Sequence, residues 1–135
     1  MLTYNLDHIA LAVPDLDKAI AQYENLFGGT PLYRETIESQ GVEEAMLAVG
    51  GSYIQLLQPL GADTPVGRFL ERSGEGLHHI ALAVTDIEKA LEHLRDEGAR
   101  LVDDTPRQGG RGSRIAFVHP HTFAGTLIEL VELKT

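Results

Sequence analysis

Four polar side chains interrupt apolar, strand-like runs in this sequence, and together they carry the donor chemistry of a divalent-metal site. His8 opens the run His8-Ile9-Ala10-Leu11-Ala12-Val13, and the same six residues recur from His79 to Val84, an offset of 71. Gln55 in Ile54-Gln55-Leu56-Leu57 is answered, at an offset of 74, by Glu129 in Ile128-Glu129-Leu130-Val131. Taken alone, either histidine reads as a structural residue at a strand start. Repetition changes that reading, because pseudo-twofold symmetry brings equivalent side chains toward one another. Two imidazole nitrogens, an amide oxygen and a carboxylate suit a borderline-to-hard divalent ion and leave two octahedral positions for water or substrate. A buried polar group without a partner costs about 1–3 kcal/mol, so polar residues in such runs have a reason to be there.

The elements that must position these residues are duplicated with them. After the first strand, Asp15-Leu16-Asp17-Lys18-Ala19-Ile20 is answered by Asp86-Ile87-Glu88-Lys89-Ala90-Leu91. Each aspartate is placed to cap a helix, and Gly28-Gly29 and Gly98 are placed to stop one. The apolar stripes are Leu16, Ala19, Ile20, Tyr23, Leu26 and Phe27 in the first helix and Ile87, Ala90, Leu91 and Leu94 in the second. Three strand-like runs follow each helix, near 32–38, 42–49 and 53–58 and near 100–105, 113–119 and 126–133. The order is βαβββ twice, an α+β fold in one domain, with repeat halves at about 1–60 and 76–135. The connector 61–75 contains a short helix at Pro65–Arg72 with Thr64 before its proline. Alternation in the first strand puts His8, Ala10 and Ala12 on one face and Ile9, Leu11 and Val13 on the other.

The remaining histidines invite simpler readings. His78 points away from His79 and reads as packing or as support for a ligand. His93 is a solvated helix residue, and His119 and His121 flank a turn proline.

Composition narrows the function. The 135 residues carry 11 Lys plus Arg against 20 Asp plus Glu, a net charge of −9, which argues against nucleic acid and against polybasic attachment to membranes. A local cluster of Arg107, Arg111 and Arg114 leaves room for a small anionic ligand. With no cysteine there is no disulfide, thiolate zinc site or cysteine nucleophile, so any metal sits on nitrogen and oxygen. No apolar run approaches the roughly 20 residues that span a bilayer, and no basic-then-apolar leader opens the sequence, so a soluble, cytoplasmic protein is expected.

The paired modules with their His-Ile-Ala-Leu-Ala-Val starts resemble the vicinal oxygen chelate superfamily, over essentially the whole chain. Within it, the chain is most similar to the methylmalonyl-CoA epimerase family in Leu6-Asp7-His8, Gln40-Gly41-Val42-Glu43-Glu44-Ala45-Met46, Gly76-Leu77-His78-His79-Ile80-Ala81 and Arg114-Ile115-Ala116-Phe117-Val118-His119-Pro120. The resemblance implies a curved eight-stranded mixed sheet around a metal cleft. It places the metal ligands on His8, Gln55, His79 and Glu129, the four that symmetry selects. It also implies a catalytic glutamate at Glu44, where pattern alone, with Glu38 and Glu43 nearby, reads a solvated strand edge. The implied reaction is epimerisation at C2 of methylmalonyl-CoA by a 1,1-proton transfer through a metal-stabilised enolate, with Glu44 and Glu129 as the acid–base pair. One divalent ion per chain is implied, cobalt first, with manganese, nickel, zinc and magnesium also compatible. Ser113 and Arg114, beside the glycine-bearing segment 109–112, are candidate contacts for an acyl-CoA substrate, and a homodimer is implied by analogy. The alternatives are a glyoxalase I-like enzyme, in which the family pattern has a glutamate where this chain has Gln55, and a metal-free binding protein of the resistance type.

Overall fold

The computed structural model describes residues 4–133. Its strands are β1 (Tyr4–Ala12), β2 (Pro31–Ile37), β3 (Val42–Val49), β4 (Ser52–Pro59), β5 (Gly76–Val84), β6 (Arg107–Gln108), β7 (Arg114–Val118) and β8 (Ile128–Glu132). Its helices are α1 (Leu16–Phe27), α2 (Pro65–Ser73) and α3 (Ile87–Asp96). The described residues form two compact units, one running His8–His78 and the other joining 4–7 to 79–133.

In the unit His8–His78, β1 runs parallel to β4, β4 antiparallel to β3, and β3 antiparallel to β2. Asp15 caps α1 by accepting from the Lys18 N–H, and Gly28 ends it in the left-handed region at φ 78°. Leu16 and Ile20 of α1 pack on the sheet face formed by Leu11, Val13, Ala45, Leu47 and Leu56. Leu16 has no exposed surface, which at about 25 cal/mol per Å² corresponds to roughly 1.5–3 kcal/mol of burial. Of the expected stripe, Leu26 and Phe27 are exposed. On the opposite face Ala10, Ala12, Ile37, Val42 and Leu57 pack beneath Val66, Phe69 and Leu70 of α2, whose N-cap is Thr64.

The unit containing His79 repeats the plan: β5 runs parallel to β8, β8 antiparallel to β7, and β7 antiparallel to β6. Asp86 caps α3 through the Lys89 N–H. Ile87, Ala90 and Leu91 pack on Val84, Ala116, Val118 and Leu130. The other face carries Ala81, Ile115, Val131 and Phe117.

A device the sequence pattern did not reveal recurs in both units. The last strand reaches back to the helix start: Gln58 Oε1 accepts from the Leu16 N–H at 2.6 Å, and Glu132 Oε2 accepts from the Ile87 N–H at 2.8 Å. Each satisfies an N–H of a first helical turn that has no partner within its helix.

One expected strand is absent. Residues 100–105 form no strand, and only an isolated bridge pairs Leu101 with Val118; the strand in that position is the two-residue β6. The cause is a side chain from this segment bonding to the neighbouring strand. Asp103 Oδ2 accepts from the Phe117 N–H at 2.9 Å, taking the place of a ladder carbonyl, and Pro106 has no N–H to donate.

Candidate metal and acid–base site

Strand register decides which side chains share a face. In the unit His8–His78, His8 lies opposite Tyr53, Ala10 opposite Gln55 and Met46 opposite Gln55. His8, Gln55, Met46 and Glu44 therefore occupy the face away from α1. Glu43 falls on the α1 side, where Arg34 bridges it at 3.0 Å to Asp17 of α1 at 2.6 Å. This corrects the reading of Glu44 as a solvated edge residue: it is 1% exposed. Its Oε2 accepts from Gln55 Nε2 at 2.5 Å and from the Tyr33 hydroxyl at 3.4 Å. The Gln55 amide is thus oriented, its nitrogen toward Glu44, while its buried Oε1 has no hydrogen-bond partner among the described residues. An amide oxygen left without a donor in a protein interior suits a cation, and this is the observation against which a metal is tested: the residues fit one.

In the unit containing His79, Ala81 lies opposite Glu129 and Phe117 opposite Glu129, so His79, Glu129, Ile115 and Phe117 share the face away from α3. His79 Nε2 lies 3.7 Å from Glu129 Oε1, both side chains being buried, and the His79 ring meets Phe117 edge to face at 5.3 Å. The Arg107 guanidinium lies over the same Phe117 ring, 5.6 Å from its centroid.

The two candidate substrate contacts part company. Ser113 is buried and its N–H donates to the Gly110 carbonyl. Arg114 falls on the α3 side of β7, bonded to Glu88 and Glu132, with its guanidinium pKa raised chiefly by the hydrogen bond to Glu88. The structure does not bring Arg114 to the face that holds His79 and Glu129. His78 packs against Phe69, T-shaped at 4.8 Å, His93 is exposed, and His119 accepts from the His121 N–H in the turn. Tyr33 was missed; its alternation with Glu35 on β2 was the available signal.

A model of the glyoxalase/bleomycin resistance protein/dioxygenase superfamily matches residues 7–117. The chain belongs to that superfamily. The ethylmalonyl-CoA/methylmalonyl-CoA epimerase of Cereibacter sphaeroides is 38% identical over 130 residues, covering 95% of this chain and 97% of that one. The Streptomyces coelicolor methylmalonyl-CoA epimerase, solved in complex with 2-nitronate-propionyl-CoA, is 42% identical with a TM-score of 0.93, covering 97% and 95%. A methylmalonyl-CoA epimerase solved with methylmalonyl-CoA and NH4+ is 43% identical with a TM-score of 0.92, covering 96% and 94%. Within the superfamily the chain stands with the methylmalonyl-CoA epimerases, which are isomerases, and it has their fold: two βαβββ modules contributing an eight-stranded mixed sheet. Among the described residues no helix is long and apolar enough to cross a membrane.

Proposed function

We propose that this chain epimerises methylmalonyl-CoA at C2, with His8, Gln55, His79 and Glu129 holding one divalent ion and with Glu44 and Glu129 as the acid–base pair. The observation that carries the reading is Glu44: a carboxylate in the interior, on the ligand face, held by an amide whose oxygen is left for a cation. His8, His79 and Glu129 supply donor types that a divalent ion takes, and the relatives above supply the substrate class. The same reading takes cobalt as the ion, a homodimer as the assembly and the cytoplasm as the location, following the family resemblance.

A bound ion supplies Lewis-acid stabilisation of the negative charge that develops when C2 loses its proton. The chain's own residues do the rest. Glu44 takes the C2 proton on one face, and Glu129 delivers a proton to the other; in the reverse direction the roles exchange. Gln55 holds the Glu44 carboxylate through its N–H, a task a glutamate at position 55 could not perform, since a carboxylate has no proton to donate. Ser113, buried immediately before β7, is the proposed polar contact for the acyl chain.

The test is deuterium incorporation at C2 of methylmalonyl-CoA in D2O, with cobalt and with chelator. Metal-dependent exchange accompanied by interconversion of the epimers is expected. No exchange with any divalent ion would refute the reading. Metal binding is followed separately: His8→Ala loses the bound ion, whereas His93→Ala retains it.

A further inference from the structure

The pairing of β2 with β3 contains an irregularity that changes which residue faces Glu44. Pro31 lies opposite Leu47, yet Tyr33 lies opposite Met46, so two steps along β2 correspond to one along β3. Leu32 is the extra residue of this bulge, and it is exposed. Continuing the Pro31 register without it would put Arg34 opposite Glu44 and Tyr33 opposite Ala45, on the α1 side. The bulge changes both assignments: Glu35 comes opposite Glu44, and Tyr33 comes opposite Met46, on the same face two residues before Glu35. Arg34 goes to the α1 side and pairs with Asp17 and Glu43, while Tyr33 turns to the ligand face and its hydroxyl donates to Glu44 Oε2.

The consequence is chemical. An arginine opposite Glu44 would hold the carboxylate in a charged, bidentate pair and aim it at the guanidinium. With the bulge, Glu35 stands opposite Glu44 and brings no positive charge, while Tyr33, opposite Met46, supplies one neutral donor directed at the oxygen that already accepts from Gln55 Nε2. Two donors, from the strands on either side of β3, converge on one oxygen and hold it in place.

We infer that Tyr33, delivered by the bulge at Leu32, is a positioning residue that aims Glu44 at the substrate carbon. The inference rests on the proposed role of Glu44 as one of two opposed bases. Tyr33 exchanges no proton with the substrate; the C2 proton passes to Glu44, the C–H electron pair stays with the carbon, and Glu129 supplies the replacement proton from the other face.

The test uses the metal-loaded protein, Tyr33→Phe, Glu44→Gln and the double variant, each assayed in D2O from the separate epimers. Tyr33→Phe keeps the ring, so the melting temperature stays near that of the parent. The expected result is a kcat lowered roughly tenfold with KM within about twofold, the scale of one hydrogen bond to a charged group. Interconversion slows equally in both directions whatever the cause, because the equilibrium between the epimers is unchanged, so the readout is deuterium exchange: a purely structural role slows exchange from both epimers alike. A role through Glu44 slows one face: the epimer whose proton faces Glu129 gains deuterium without inverting, because return on that face outruns delivery from the other. In the Glu44→Gln background Tyr33→Phe adds no further change. Equal slowing of deuterium exchange from both epimers, no slowing, or an undiminished effect in the double variant overturns the inference. If Glu44→Gln itself leaves both epimers exchanging as in the parent, the role of Glu44 falls and the inference falls with it. Loss of one face in Glu44→Gln with parental behaviour in Tyr33→Phe refutes Tyr33 alone.

Discussion

Glu44→Gln separates what a buried carboxylate does for chemistry from what it does for the fold. The substitution keeps shape and volume. The new side-chain carbonyl can still accept from Gln55 Nε2 and from the Tyr33 hydroxyl, so both contacts to position 44 survive. What is lost is the charged hydrogen bond, about 1.5–3 kcal/mol, offset by the penalty no longer incurred for burying an ionised group. These terms oppose each other, and the expected net change in stability is within about 1 kcal/mol, a shift of roughly 3–5 °C in Tm. Catalysis has no such offset. An amide cannot take a proton from carbon, and positioned proton transfer contributes about 10²–10⁴-fold, or roughly 2.7–5.4 kcal/mol of barrier. The assay pairs epimerisation kinetics on methylmalonyl-CoA with thermal denaturation of the same preparation. A kcat reduced at least a hundredfold at nearly unchanged Tm is expected. A kcat within threefold of the parent would refute the acid–base role, and a collapse of Tm with proportionate loss of activity would show that the carboxylate serves the fold.

Two further expectations concern the frame. Gln58→Leu removes the acceptor for the Leu16 N–H and should cost about 1–2 kcal/mol in denaturant unfolding, with KM and kcat unchanged in the protein that remains folded. His119 has its pKa lowered from 6.5, by desolvation first and then by the charges of Arg100 and His121, so the folded state disfavours its protonated form. The stability this represents is present above pH 6.5 and is lost as pH falls through the folded value; NMR titration should place that value below 6.5, and His119→Gln should remove the loss.

Much of the frame was legible because duplication made each reading twice. The aspartate caps, the glycine stop at Gly28 and the connector helix behind Thr64 are local chemistry, written in adjacent residues. His8, Gln55, His79 and Glu129 stood out because a polar residue repeated within an apolar strand has few structural uses. Failures came where the outcome depends on distant partners. Residues 100–105 look like a strand until Asp103 binds the Phe117 N–H, fourteen positions away. Glu44 looked solvated because its neighbours in sequence are charged, whereas its neighbours in space are Gln55 and Tyr33. Arg114 suggested an anion site, but alternation in β7 sends it to Glu88 and Glu132. The bulge at Leu32 has no signature in a single sequence, and without it the face of every β2 residue beyond it would be misassigned.

The reach of the last strand back to the helix start also bears on how the protein is made. Gln58 and Leu16 are 42 positions apart, and Glu132 and Ile87 are 45 apart. During synthesis each helix leaves the ribosome with one of its opening N–H groups awaiting an acceptor that has not been translated. Neither module can reach its final stability until a parallel strand has closed a loop of that length, a slow and entropically costly step for a nascent chain.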